Sequence, residues 1–355
     1  MDARVLGRES EVGGRRSEVG VEHAVRACRE RPLCRSVTAR RSGFTLVELL
    51  VVITIIIILM GLLTPVVMIA LGRAKEGRIM LEIATLDGAM KAYKEKRGSY
   101  PPSDFTNIGT ATYSTTAGFT YTAPSTTLHP QLDILATHLA KAFPRCNIQT
   151  ELAAIIVSNP NYPGKVNAPV SPSQAIYFWL SGFSTDVEHP ISGLLTNAGG
   201  PREAPFFEFD KTRLSYTGLP TPPTTAVPCY CASDTPGVPY VYFAAQNYNT
   251  HAITTPYVTS VWQQGGTGLV RPYAADPYSP PYSATVTPTP VNINSFQIIS
   301  AGLDGDFGKG GIDDAGNKDP TYTVAYFKQG NFYASGDKDN LTNFSDRTLG
   351  DAIPK

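Results

Sequence analysis

The stretch Gly43-Phe44-Thr45-Leu46-Val47-Glu48 opens a long apolar run, and this run decides the fold. Between residues 49 and 71 the chain has no charged side chain, and four consecutive isoleucines lie near the centre. A helix of about 20 apolar residues is long enough to cross the hydrocarbon core of a bilayer. The run therefore predicts a membrane-spanning helix.

Two simpler kinds of segment fit the apolar run less well. A secretory signal peptide has an apolar region of about 7–15 residues followed by a small-residue cleavage site, whereas this run is longer and no Ala-x-Ala sequence follows it. A plain signal anchor explains the apolar run and its basic flank but gives no role to Glu48. A carboxylate at the edge of a membrane is costly and usually marks a function.

Residues 1–43 differ from the rest of the chain in charge. They contain ten arginines, no lysine and six acidic residues, whereas the whole chain has no net charge. They show no apolar periodicity with which to build a core. Because positive charge favours the cytoplasmic side, the chain is predicted to be a single-pass inner-membrane protein with a cytoplasmic N terminus.

The sequence Arg40-Arg41-Ser42-Gly43-Phe44-Thr45-Leu46-Val47-Glu48-Leu49-Leu50 resembles the processing site of type IV pilins and type II secretion pseudopilins. In that family a membrane peptidase cuts after the glycine and methylates the new N-terminal amine. The resemblance implies cleavage between Gly43 and Phe44, loss of residues 1–43 as a leader, and N-methylation of Phe44. It also implies a role in assembly for Glu48, the fifth mature residue, and for Pro65, where many pilins carry a proline.

Physical chemistry supports a role for Glu48 in assembly. Cleavage would create an ammonium group on Phe44 beside a lipid phase that also solvates Glu48 poorly. Buried charges are costly alone and tolerable as a pair, so Glu48 of one subunit and the Phe44 amine of its neighbour could fix the stagger of a filament. Pro65 lacks an amide hydrogen and, with Gly61 nearby, predicts a kink or local melting of the helix.

The helix is predicted to continue past the membrane to Arg97. Apolar residues recur at spacings of four and three, as on one face of an amphipathic helix; they are Ile79, Ile83, Leu86, Met90 and Tyr93. The opposite face carries charged residues, which are Arg78, Glu82, Lys91 and Lys94. Gly98, followed by two prolines, predicts the end of the helix. The apolar face is interpreted as core that packs beneath a sheet.

Further stretches resemble G-type major pseudopilins. Residues 92–101 resemble the end of their long helix, and residues 300–308 with 336–344 resemble their terminal loop, which binds calcium in that family. The resemblance implies Ca²⁺ as a candidate cofactor, with four candidate ligands: Asp304, Asp306, Asp337 and Asp339. Calcium prefers such hard oxygen ligands, although Asp-Gly pairs also form simple turns.

The rest of the chain predicts a head of short elements joined by long loops. Residues 132–143 predict a helix ended by Pro144, residues 174–183 are apolar enough to be core, and residues 151–157 fit either a helix or a strand. Aromatic and β-branched residues predict four strands, at 206–209, 238–243, 296–299 and 321–327. Tracts rich in Pro, Thr and Tyr at 217–228 and 271–290 predict surface loops.

The sequence does not predict an enzyme. It contains no Walker loop, dinucleotide fingerprint, Gly-x-Ser-x-Gly or His-Glu-x-x-His motif. His138, on a predicted helix, is interpreted as a surface residue rather than a ligand. The absence of net positive charge gives no reason to expect a nucleic-acid partner.

The cysteines leave the question of a disulfide open. Cys28 and Cys34 would be removed with the leader. Cys229 and Cys231 are too close for a relaxed disulfide with each other, so Cys146 would pair with one of them if any bridge forms.

The predicted fold class is α+β and pilin-like: a long N-terminal transmembrane-plus-amphipathic helix packs on a small antiparallel sheet, with a large loop-rich insertion. Its parts are the leader 1–43, a transmembrane segment 44–71, an amphipathic extension 72–98, and a periplasmic head 99–355 with an enlarged variable region 105–290 and a C-terminal region of strands and Asp-rich loop 291–345.

The predicted function is that of a structural subunit in a pilus-like filament, foremost a type II secretion pseudopilin that supports protein export. The alternatives are a type IV pilin for adhesion, motility or DNA uptake, and a membrane-tethered module that binds a polysaccharide or an exoprotein. The implied partners are a prepilin peptidase/methyltransferase, other pilin or pseudopilin subunits and an inner-membrane assembly platform. The assembled subunit would lie in a periplasmic or surface filament.

Overall fold

A computed structural model describes residues 44–104, 130–156, 170–192, 200–215, 227–246, 270–275, 289–308, 315–316, 326–327 and 333–354. The leader 1–43 and most of the predicted loop tracts lie outside these ranges. The chain divides into two units, Met1–Met60 and Gly61–Lys355.

The first helix, α1, spans Leu46–Arg97 and contains 52 residues. It ends at Gly98, which has a φ of 82° and donates its amide hydrogen to the Lys94 carbonyl at 2.7 Å. Glycine suits this left-handed position because it has no Cβ. Three basic residues in the last turn, Lys94, Lys96 and Arg97, complement the negative end of the helix dipole. The sequence predicts a helix from Thr45 to Arg97, which the structure confirms with a start one residue later.

Of the kink or local melting predicted at Pro65, the local melting does not occur. The backbone is helical through both Gly61 and Pro65. A proline removes a single amide donor, and the neighbouring turns of this long helix keep their own hydrogen bonds.

Short helices and small sheets make up the rest of the described fold. The helices are α2 (Pro130–Ala142), α3 (Ile148–Ile156), α4 (Pro172–Leu180) and α5 (Ser335–Asp339), with a single 3₁₀ turn at Lys211–Arg213. The strands are β1 (Leu214–Ser215), β2 (Cys229–Tyr230), β3 (Val241–Ala244), β4 (Ala274–Ala275), β5 (Thr289–Pro290), β6 (Phe296–Ser300), β7 (Tyr326–Phe327) and β8 (Leu341–Thr342). The α+β class is confirmed.

The central sheet has the order β3-β6-β8 and is antiparallel, with Val241 opposite Ile299 and Ile299 opposite Thr342. Two smaller sheets have the orders β1-β2 and β5-β4-β7. The predicted small antiparallel sheet is the central one, whereas the third sheet also contains a parallel pair, β4–β7.

The central sheet separates two apolar clusters. Along β3 and β6 successive side chains point to opposite faces, so Tyr242 and Ile298 join one cluster while Phe243 and Ile299 join the other. The first cluster also contains the predicted apolar face of α1, whose five residues are at most 1% exposed: Ile79, Ile83, Leu86, Met90 and Tyr93. This face is core, as predicted.

The structure corrects one local prediction and decides another that the sequence left open. The aromatic stretch 206–209 is a bend rather than a strand, and Phe206, Phe207 and Phe209 pack their half-buried rings against the first cluster. Residues 151–156 belong to a helix. The strand predicted at 321–327 is seen at Tyr326–Phe327, and residues 321–325 lie outside the described ranges.

Candidate processing and assembly segment

The first turn of α1 is fixed by a reciprocal contact between Thr45 and Glu48. Thr45 donates its amide hydrogen and its hydroxyl to Glu48 Oε2, each at 2.9 Å. The Glu48 amide donates in return to the Thr45 hydroxyl at 3.2 Å. The Thr45 carbonyl accepts the first helical hydrogen bond, from the Leu49 amide. This is a capping box, which satisfies amide groups that have no partner within the helix.

The apolar part of α1 is not buried by any other described residue. Every residue from 44 to 71 is exposed, and the most apolar window of the helix is 0% buried. The helix is long and apolar enough to cross a membrane. An uncovered apolar surface of this extent needs lipid or other protein around it.

The predicted site residues lie at the start and middle of this exposed stretch. Phe44 precedes the capping box and is 78% exposed, Glu48 is in the first turn, and Pro65 is within the helix. Gly43, the predicted cleavage residue, lies outside the described residues.

Residues 38–64 match the family model of the prokaryotic N-terminal methylation motif. The chain carries this methylation motif. The match supports a type IV pilin-like, membrane-anchored protein. It includes Gly43, Phe44 and Glu48 but none of the head.

No curated protein and no solved structure shows a significant match to this chain.

Beyond the methylation motif, α1 is fastened to the head by a cluster around Glu82. Arg213 donates to both carboxylate oxygens of Glu82, each at 2.6 Å, and the hydroxyls of Tyr230 and Tyr240 donate to the same carboxylate. Burial pushes the pKa of Glu82 up, but the hydrogen bonds from Arg213, Tyr240 and Tyr230 and the Arg213 charge outweigh it, so the pKa is lowered. Glu82 was predicted on the charged outer face and instead points at the head.

A second ionic contact joins the end of α1 to the head. Lys96 and Arg97 both bond to Glu203 Oε2, at 2.8 and 2.6 Å. The Arg97 guanidinium also lies 4.3 Å from the centre of the Phe143 ring. Arg97 is therefore held by both charge and an aromatic face.

His138 is a core residue, and its predicted surface position is wrong. It is 3% exposed, and its ring nitrogens lie 2.9 Å from the Tyr93 hydroxyl and 3.0 Å from the Ser99 hydroxyl. Burial, followed by the charges of Lys141 and Arg97, lowers its pKa to about 3. The signal for burial was its position three residues after Leu135, on the apolar face of α2.

The two Asp-rich segments predicted to meet do lie together. We call them the aspartate loops: they are residues 300–308 and residues 336–344, although Asp337 and Asp339 belong to the short helix α5 rather than to a loop. Asp339 Oδ2 accepts hydrogen bonds from the amides of Leu303 and Asp304, at 2.6 and 3.0 Å. A Cβ on Gly302 would lie 2.2 Å from the Asp339 carbonyl oxygen, and one on Gly308 equally close to Asp337 Oδ2. Only glycine permits this approach, since real Cβ contacts are longer.

The side chains of these loops offer oxygen atoms of the kind that calcium prefers as ligands. All four candidate ligands are carboxylates, and Asn340 has a fully buried side-chain oxygen with no hydrogen-bond partner. Asp304 and Asp306 each accept an amide hydrogen from the residue two positions ahead, as in simple turns. Within the described ranges, no three His, Cys, Asp or Glu side chains are grouped so as to hold an ion.

The three described cysteines are free thiols. Cys229 and Cys231 are buried and Cys146 is half-buried. Burial raises the pKa of Cys146 to about 11 and that of Cys229 to about 12. Neither thiol is therefore activated as a nucleophile.

Proposed function

We propose that this protein is a non-catalytic structural subunit of a pilus-like filament. The observation that carries the proposal is the methylation motif on a helix whose first half is apolar and exposed and whose second half is built into a folded head. A helix with these two surfaces can move from the lipid to a filament core while the head stays folded. Its apolar half would be buried among the same helices of neighbouring subunits.

The steps of maturation follow from the motif. A prepilin peptidase cuts between Gly43 and Phe44, removes the basic leader and methylates the Phe44 amine. The leader stays in the cytoplasm because of its arginines, and the head lies in the periplasm. Glu48 of one subunit then pairs with the charged amine of its neighbour.

Within this class, we favour a type II secretion pseudopilin over a type IV pilin. The resemblance of residues 92–101 and of the two aspartate loops to G-type pseudopilins supports this choice. The same resemblance supports Ca²⁺ at the aspartate loops, where Asp304, Asp306, Asp337 and Asp339 would supply hard oxygen ligands.

Assembly tests the proposal directly. Filaments sheared or extracted from the native membrane should sediment with the wild-type chain, and Glu48→Gln should reduce the sedimenting fraction strongly. Glu95→Gln is the matched control, because Glu95 is an exposed glutamate on the same helix. A wild-type chain that never sediments, or a Glu48→Gln chain that assembles normally, would contradict the proposal.

Deletion of the gene distinguishes the two filament classes. Loss of exoprotein release with unchanged surface pili supports the pseudopilin. Loss of surface pili with normal release supports the type IV pilin instead.

A further inference from the structure

We propose that Arg73, Lys75 and Arg78 bind the phosphate groups of acidic phospholipids and hold the base of the head at the membrane surface. We call these three residues the juxtamembrane cations. The inference needs the membrane-spanning helix but not filament assembly, so it can fail while the proposed function stands.

The juxtamembrane cations follow directly after the apolar part of α1. The chain has no charged side chain between residues 49 and 71, which corresponds to about 35 Å of helix at 1.5 Å per residue. The hydrocarbon core of a bilayer is about 30 Å thick, so a helix that spans it places residues 73–78 among the lipid headgroups. These six residues cover about 8 Å of the helix axis, which is close to the thickness of one headgroup layer.

The charges of these residues are available to a partner. Arg73 and Lys75 are exposed, and neither makes a hydrogen bond or an ion pair with another residue that the structure describes. The side chain of Arg78 is 64% exposed, and its contact with the head is a long one, 3.5 Å from Nη1 to Asp234 Oδ1. Glu76 is the one acidic residue between positions 72 and 78, so three cations and one acid leave this segment a net charge of +2.

The cations lie on opposite sides of the helix and do not form one cluster. At about 100° per residue, Lys75 and Arg78 lie about 200° and 140° around the axis from Arg73. A helix with its side chains is about 10 Å wide, so a single small anion does not reach both sides. A layer of phosphates around the helix reaches all three, because long Lys and Arg side chains extend sideways to headgroups. The arrangement therefore favours a membrane surface over one soluble anion.

The head begins where the cations end. Ile79 is the first buried residue of α1 and is 0% exposed, and α1 is helical through the whole segment that carries the cations. Arg78 also contacts Asp234, which lies between β2 and β3 of the head. Because no break in the helix separates the cations from the first buried residue, phosphate contacts at the cations fix the base of the head at the lipid surface.

Cations farther along α1 provide a matched comparison. Lys91 and Lys94 are also exposed on this helix, but Lys91 lies about 24 Å beyond Lys75. The attraction to an acidic membrane falls off within a Debye length, about 8 Å at physiological ionic strength. Only the juxtamembrane cations are therefore close enough to bind the headgroups.

The test uses the full-length protein in nanodiscs that contain equal amounts of phosphatidylcholine and phosphatidylglycerol. Native mass spectrometry counts the lipids of each kind that remain bound. Arg73→Gln/Lys75→Gln should lower the ratio of bound phosphatidylglycerol to phosphatidylcholine about fivefold, the effect expected for a cation at an acidic surface. Lys91→Gln/Lys94→Gln should leave the ratio as in wild type. Both variants keep the arginines of residues 1–43, so the difference between them reports Arg73 and Lys75 alone.

A third variant separates charge from shape. The exchange Arg73→Lys/Lys75→Arg keeps both charges and should keep the wild-type ratio. An unchanged ratio in Arg73→Gln/Lys75→Gln would overturn the inference and would point to an acidic protein surface as the partner. An equal loss in Lys91→Gln/Lys94→Gln, or a loss in the charge-preserving exchange, would also overturn it.

Discussion

The Tyr93 hydroxyl and His138 Nε2 lie 2.9 Å apart in the core and join α1 to α2. Ser99, just past the end of α1, bonds to the other ring nitrogen at 3.0 Å. The Trp179 ring from α4 packs edge-on against the imidazole, 5.1 Å away between centres. Three helices therefore meet at one neutral histidine.

Protonation of His138 is predicted to destabilise the head in acid. Its pKa is about 3 in the folded chain and about 6.5 in the unfolded chain, so the unfolded state binds the extra proton between these values. Stability is then fully present above pH 6.5 and falls by about 1.4 kcal/mol per pH unit as the pH drops towards 3. Denaturant unfolding of full-length protein in detergent, from pH 7 to pH 4, measures this slope. His138→Gln should flatten it, and equal slopes in the two proteins would contradict the account.

The Glu82–Arg213 pair is predicted to be a major link between α1 and the head. Glu82→Gln leaves the guanidinium of Arg213 without its countercharge in a half-buried position. Loss of one partner in such a pair costs about 3 kcal/mol of unfolding free energy. Thermal or denaturant unfolding measures the loss.

The matched control for Glu82 is the Asp87–Lys91 pair on the same helix, where Lys91 is exposed. Lys91→Gln should cost less than about 1 kcal/mol, because Lys91 is largely exposed and Asp87 keeps its hydrogen bond from Asn343. If the two variants lost the same unfolding free energy, the Glu82–Arg213 pair would stabilise the head no more than the Asp87–Lys91 pair does.

Calcium is predicted to stabilise the two aspartate loops. A ligand that binds the folded chain at 100 times its dissociation constant adds about 2.7 kcal/mol. The unfolding temperature of full-length protein should therefore rise when Ca²⁺ replaces EGTA, and Asp304→Asn should reduce the rise. Asp186→Asn is the control, because Asp186 makes the same kind of turn bond, to the Glu188 amide. No rise in the wild-type chain would exclude calcium binding at these loops.

Alkylation is predicted to distinguish the three cysteines of the processed chain. Cys146 is half-buried, whereas Cys229 and Cys231 are buried. Iodoacetamide at pH 8 should label Cys146 slowly in the native protein and all three after unfolding. The mass of the labelled chain counts the thiols. A native chain with no reactive thiol and a mass lower by two hydrogens would reveal a disulfide instead.

Local patterns predict α1 well and long-range contacts poorly. The start of the helix is encoded by Thr45 and Glu48, three residues apart, and its buried face by a regular spacing of apolar side chains. These signals need no knowledge of the rest of the chain. The partner of Glu82 is 131 residues away, so its inward direction could not be read from α1 alone.

The errors in the head have the same physical origin. His138 was assigned by its polarity, although its place on the apolar face of α2 indicated burial. Residues 206–209 have the aromatic content of a strand, but the Phe207 and Phe209 rings pack against Tyr230 across a bend. In both cases tertiary packing outweighed local preference.

The intact mass and N-terminal sequence of the protein purified from its native membrane test the central claim most directly. The account predicts a chain that begins with N-methylated Phe44 and lacks residues 1–43. A chain that retains residues before Gly43 would contradict it, and the protein would then be an anchored surface protein rather than a filament subunit.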